Sequence, residues 1–390
     1  MRGWTGRAVA ASGGWGLCLI LMTGCAGFFV YPGSTTGGTG TTGSGDYVYV
    51  ANATAETLAG FEVGSGTLTA VTNSSYTLGF VPTSVAVNPA NTIVFVAGTN
   101  GVYGFINAYA IGTGGALTLL TSNNTGSAGE VSIDVSPDGD WLVGLDTNGS
   151  TVNEAIVDEY AINSSTGQLT LETNTGGTYT YTGSVPTIVP QAIKFAPNED
   201  YVFVAVGTAG DLVFPFSKGV FSTPQALIFP AGSTSSDNAL AVNSTSSTLF
   251  ISRSGTNGGL AVYTIGSGGA LSEVSGSPLT AGDQPISVVI NLAGSDVYLA
   301  NQLSTTISGY SISSSGTVAA LSPATDSLVS APRALAVDSS GNYLLAASNA
   351  GSPDLSMYSY DATTAGKLDF VTSIPTGSDP TGAIAIAATH

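Results

Sequence analysis

Histidine is nearly missing from this chain: the one copy, His390, is its last residue. A Ser-His-Asp relay or a histidine-bearing metal cluster therefore has nothing to draw on in the body of the sequence. Cysteine is almost as scarce, with Cys18 and Cys25 both close to the N-terminus. Everything after them lacks a thiol nucleophile and a disulfide pair, so packing must hold the fold. Cations are few as well, 7 Lys and Arg against 25 Asp and Glu, for a net charge of −18. Phosphate binding needs clustered Lys and Arg, which excludes nucleic acid as a partner and an anionic lipid surface approached by charge. The apolar run of the leader, Leu17-Cys18-Leu19-Ile20-Leu21-Met22, falls far short of the roughly 20 residues of a spanning helix.

That leader has the layout of an export signal: Arg2 and Arg7, the apolar run, then small residues before Cys25. Met22-Thr23-Gly24-Cys25 resembles the bacterial lipoprotein cleavage box, in which the Cys is lipidated and becomes the new N-terminus. An ordinary secretory signal followed by a free thiol is the alternative. Residues 1–24 are accordingly assigned as signal peptide and Cys25 as the lipidation site, so that a membrane is reached through acyl chains alone. Loss of Arg2 and Arg7 takes the formal charge from −18 to about −20. Ala26 stands where an inner-membrane retention signal resembles an Asp, which favours the outer membrane. Residues 25–45, rich in Gly, Ser and Thr, bury almost nothing and read as a flexible tether.

The folded part, residues 46–390, is organised by a repeated phrase, plainest in PRALAVDSSGNYLLAA from Pro332 to Ala347. An apolar strand, a polar turn and a second apolar strand recur from Pro82, Glu130, Pro190, Asp237 and Pro285, with a half-copy from Pro380. Successive anchors lie 48, 60, 47, 48, 47 and 48 residues apart. A fixed period of this size with strand-type runs predicts an all-β, seven-bladed β-propeller, one four-stranded blade per unit. In the unit at Pro82 the runs are Ser84 to Val87, Thr92 to Ala97, Phe105 to Ile111 and Leu117 to Leu120. Six units are complete, and the seventh is divided between the chain ends. Gly382 to Ala387 supplies its first strand and Tyr47 to Ala51 its second, a closure that removes the open edge of an incomplete ring.

Each third run carries an aromatic at one register, Phe61, Tyr109, Tyr160, Phe216, Tyr263, Tyr310 and Tyr358, which reads as packing between blades. Glycines at 66, 115, 167, 269, 316 and 366 open the fourth runs, where a tight hairpin needs positive φ. The second unit has a surplus from Asn174 to Pro186, and its Tyr179 and Tyr181 either wall a ligand site or stack on the rim. Asp138-Gly139-Asp140 has the start of a calcium loop without its remaining ligands, so it reads as a turn and no metal site is assigned. Lys194 and Asp134 hold equivalent places in the first strands of adjacent units, which predicts a salt bridge beside the channel. A catalytic pair has the same sequence signature.

The phrase grammar, Pro-x-small-apolar-x-apolar, turn, aromatic-apolar-x-apolar and Gly-x-Leu, resembles the lactonase family of seven-bladed propellers over nearly all of residues 46–390. Enzymes of that family include 6-phosphogluconolactonase and carboxymuconate cyclase. The resemblance implies a Gly-Pro-Arg-His phrase at the site, and the corresponding text is Ala331-Pro332-Arg333-Ala334. Arg333 matches, Ala334 replaces the His, and Asn349 stands where a Glu tends to follow the second strand. Two functions emerge. One is a lipid-anchored envelope module, without catalytic activity or cofactor, that binds a protein or carbohydrate-type ligand as a monomer. The other is a sugar lactonase in which Arg333, Arg253 and Lys194 hold the anion and Asp134 acts as base. Convergence of the three cations in one channel mouth favours the enzyme, and their dispersal favours the binding module.

Overall fold

Each repeated phrase folds as an antiparallel hairpin across its polar turn, so that in the unit at Pro332 the first residue faces Ser348 and Val337 faces Leu344. The computed structural model describes residues 45–126, 129–146, 153–172, 177–181, 187–230, 232–326, 330–351, 353–377 and 382–390. Blade 1 comprises Val81–Val87, Ile93–Thr99, Gly104–Ile111 and Leu117–Asn124, in spatial order from the axis outwards. The innermost strands of blades 2 to 7 are Glu130–Val135, Ala192–Phe195, Ser236–Val242, Pro285–Ile290, Pro332–Val337 and Ala383–Ala388. Each innermost strand touches those of both neighbouring blades, and the contacts return from blade 7 to blade 1.

Closure follows the expected pairing. Ala383–Ala388 lies antiparallel to Tyr47–Asn52, with Val48 opposite Ala388 and Asn52 opposite Ala383. The Tyr47 N–H donates to Thr389 Oγ1 at 2.9 Å and the Ala53 N–H to the Gly382 carbonyl at 2.7 Å, so the ladder continues past both ends of the strand.

The core lies between blades, which explains why second strands are apolar at successive positions instead of alternating. Val48 and Val50 pack towards blade 6, while Tyr47, Tyr49 and Ala51 pack towards blade 1. A strand buried on both faces needs apolar residues on both. Seven hydrophobic clusters result, one for each pair of neighbouring blades.

The register aromatics are buried as expected, with one correction. In blade 3 it is Phe214, opposite Val202, that matches Tyr109 opposite Val94. Phe216 lies beyond its strand, bridging to Phe221, because it takes the place that Ile111 holds in blade 1. The six hairpin glycines all have φ between 67° and 80°. Gly115 also lies against the Tyr47 ring, where a Cβ would come within 2.4 Å.

Candidate functional site

Small side chains let the inner strands approach one another around the channel. Ser84, Ser132 and Ser287 occupy one level, and each Oγ accepts the N–H of the next blade, from Ile133, Ile193 and Leu335, at 3.1, 3.3 and 3.1 Å. Just above that level, six of the seven inner strands skip a residue in the register with their second strands. Bulges of this kind re-aim a side chain. The skipped residues are Thr83, Val131, Asn238, Ile286, Arg333 and Ile384, and Arg333 is the charged member. It is exposed and makes no ion pair among the described residues, yet enough protein surrounds it for burial to lower its pKa. Ala334 follows it in the strand, and Asn349 accepts from Gln302 Nε2 at 3.2 Å.

Further down the same strands lies the expected ion pair. Lys194 Nζ meets Asp134 Oδ1 at 2.8 Å, while Asp134 Oδ2 accepts the Phe195 N–H at 2.8 Å. Asp134 thus does for its neighbour what the serines do one level up, and adds a charge. His390 is a residue that sequence reasoning left without a role. Its backbone N–H donates to Asn91 Oδ1 at 2.9 Å and its ring nitrogen lies 3.4 Å from the Val87 carbonyl. Water reaches part of the ring, and the protein crowding the rest, then the Lys194 charge, pull its pKa down. Closure of the ring is what brings the chain end here, at the opposite end of the inner strands from Arg333.

Arg253 is elsewhere. It is the penultimate residue of the second strand of blade 4, Thr248–Ser254, and its Nε and Nη2 bind Asp237 Oδ1 and Oδ2 at 2.6 and 2.8 Å. Nη2 also donates to Tyr263 Oη at 2.9 Å, and the guanidinium stacks over Phe229, 4.7 Å from the ring centre. Asp211 of blade 3 lies beside this group, 1% exposed, with neither oxygen meeting a donor among the described residues. Burial, then the Asp237 charge, raises its pKa well above the carboxylate range. Arg253, Tyr263 and Glu273 face a cleft of about 570 Å³ between blades 3 and 4. The three candidate cations therefore occupy blades 3, 4 and 6, and no single mouth gathers them.

The positions of Asp237, Arg253 and Tyr263 are held in blade 2 by Glu130, Asp146 and Tyr160. With no arginine there, burial and then the charges of Asp158 and Asp146 raise the Glu130 pKa, while Tyr160 Oη donates to Glu130 Oε1 at 3.0 Å. Among the described residues no group of three or more His, Cys, Asp or Glu is arranged to hold a metal ion. Asp138-Gly139-Asp140 is a turn, with Gly139 at φ 79° and Asp138 accepting from Ser136 Oγ at 2.6 Å. Tyr179 lies in a short edge strand, Thr178–Thr180, paired with Glu154–Ile156. Both Tyr179 and Tyr181 are half-buried against the cluster between blades 2 and 3. Cys25, the signal and all of the tether but Gly45 lie outside the described residues. Among the described residues no helix is long and apolar enough to cross a membrane.

Glu159, in the third strand of blade 2, exposes no surface and neither oxygen meets a donor among the described residues. It lies shallow, and burial followed by the Glu172 charge raises its pKa to about 7 from a model-peptide value of 4.5. The folded state keeps this proton where the unfolded chain has released it, so the stabilisation is complete below 4.5 and lost as pH rises towards 7. The melting temperature is therefore expected to fall between about pH 5 and about pH 8. Glu159→Gln should flatten that fall and add roughly 1–3 kcal/mol at about pH 8. Identical pH slopes for the two proteins would contradict the assignment.

Comparison with known proteins agrees with this architecture. A family model described as "Lactonase, 7-bladed beta-propeller" matches residues 289–383. Among solved structures, a candidate 6-phosphogluconolactonase from Bacteroides fragilis superposes with a TM-score of 0.71 at 15% identity, over 90% of this chain and 100% of that one. The periplasmic gluconolactonase of Pseudomonas aeruginosa gives 0.66 at 16% identity, over 88% and 99%. Nothing matches among curated protein sequences. Likeness at this identity establishes a shared fold.

Proposed function

We propose that this chain is an exported, lactonase-type propeller that binds a hydroxylated carboxylate or lactone at its channel mouth without hydrolysing it. The placement of the cations carries the reading: Arg333 makes no ion pair among the described residues, while Arg253 is committed to Asp237 and Lys194 to Asp134. A free guanidinium among small and apolar neighbours is suited to holding a carboxylate or a ring carbonyl. Hydrolysis asks for more, a base to activate water and donors for the oxyanion, with base catalysis worth about 10² to 10⁴ in rate. Ala334 supplies no base beside Arg333, and His390 lies at the other end of the strands. Calorimetric titration with D-gluconate and D-glucono-1,5-lactone tests the site. Saturable binding that Arg333→Ala abolishes is expected, and binding indifferent to that change would overturn it.

The lactonase reading retains one specific support, the match of Arg333 to the arginine of the family phrase. Attachment to the cell envelope through acyl chains on Cys25 completes the proposal, supported by the Met22-Thr23-Gly24-Cys25 box. Cys25→Ala is expected to move the protein from the membrane pellet to the soluble fraction, and a protein that stays in the pellet would count against the anchor.

A further inference from the structure

We infer that the cleft between blades 3 and 4 is a second binding site, for a neutral saccharide of one or two rings. Its volume, about 570 Å³, falls within the range of small-molecule sites, about 300–1,000 Å³. Ile228, Phe229 and Leu271 give the lining apolar surface that suits the C–H face of a pyranose. The rest of the lining offers hydrogen-bonding groups already held in place. Thr234 and Thr256 share a hydroxyl contact of 2.5 Å, and Ser235 Oγ donates to the Thr256 carbonyl, so this part is ordered without a ligand.

Three groups remain available to a ligand. Arg253, 4% exposed, spends Nε and Nη2 on Asp237 and Tyr263, leaving Nη1, whose recorded partner is Glu273 Oε1 at 3.7 Å, too far for a hydrogen bond. Glu273 has a 40% exposed side chain, and Ser277 Oγ occupies its Oε1 at 3.0 Å, leaving Oε2 open. The exposed Asn257 brings an amide with both a donor and an acceptor. A donor, an acceptor and a group that is both, all in the lining of one cleft, suit sugar hydroxyls, each of which donates and accepts.

Charge selects among sugars. Asp237 already neutralises Arg253, so Glu273 leaves the rim negative and repels carboxylate or phosphate sugars. The site is independent of the channel reading, since no residue is shared with Arg333.

The test is titration of the purified chain with D-glucose, D-galactose, D-mannose, maltose and cellobiose, read by saturation-transfer NMR. D-glucuronate serves as the charged probe. At least one neutral sugar should bind saturably, with Kd raised about tenfold or more by Glu273→Gln and by Asn257→Ala, and unchanged by Arg333→Ala. Both cleft substitutions are of exposed side chains, and melting curves establish that the variants fold. The inference is overturned if no neutral sugar binds, if D-glucuronate binds more tightly than every neutral one, or if the two cleft variants bind like the parent. Loss of sugar binding in Arg333→Ala alone would assign the binding to the channel and overturn it equally.

Discussion

A chain ending at Pro380 is expected to unfold at a markedly lower temperature than the full chain, with a loss on the order of 5 kcal/mol. The missing segment is the innermost strand of blade 7, Ala383–Ala388, whose Ala383 and Ala388 are buried and whose ladder covers Tyr47–Asn52. Its removal exposes the apolar edge of that second strand and separates blade 6 from blade 1. An open edge also invites pairing with another chain, so the shortened protein should self-associate as it melts. Coincident melting curves for the two chains would show that closure contributes nothing. A synthetic peptide of the missing strand, added back, should restore part of the loss.

Arg253→Ala is expected to cost about 3–5 kcal/mol, because it leaves Asp237 buried with no counter-charge, and with Asp211 beside it. Asp237 is 0% exposed and its side chain receives both bonds from Arg253. Arg333→Ala, by contrast, breaks no ion pair and should change stability by less than about 0.5 kcal/mol. Chemical denaturation of the two variants side by side checks the difference. The paired change Arg253→Met with Asp237→Leu should recover much of the loss, since apolar residues of similar size often replace a buried ion pair without penalty. Equal stabilities for the two single variants would mean that the Arg253 contacts do not hold in solution.

The ring was legible because its cause is local. A 47- or 48-residue period with apolar runs on both strand faces leaves few architectures open, and the two half-units at the ends are complementary in content. The Asp134–Lys194 pair was legible for the same reason, since equivalent places in adjacent inner strands become neighbours once the ring is drawn. The Arg253–Asp237 pair escaped notice although its signal was present. The hairpin register sets the anchor opposite the residue sixteen places on, as Pro82 opposite Gly98, Pro285 opposite Asn301 and Pro332 opposite Ser348. Asp237 opposite Arg253 and Glu130 opposite Asp146 follow from the same count. Phe214 was passed over for Phe216 because two aromatics two residues apart on a strand share a face, and pattern alone does not choose between them. The place of His390 needed the closed ring, since Asn91 and Val87 lie in blade 1, almost the whole chain away.

The most direct test of a propeller that binds without hydrolysing is the rate of lactone opening. D-glucono-1,5-lactone and 6-phospho-D-glucono-1,5-lactone would be followed by pH-stat titration with the purified chain and with Arg333→Ala, each corrected for spontaneous hydrolysis. The account predicts no acceleration above the spontaneous rate in either protein, because Arg333 has no base beside it. It also predicts no advantage for the phosphorylated lactone, which the strongly acidic chain repels. A rate enhancement of about 10² or more that Arg333→Ala abolishes would contradict it and establish the chain as a lactonase.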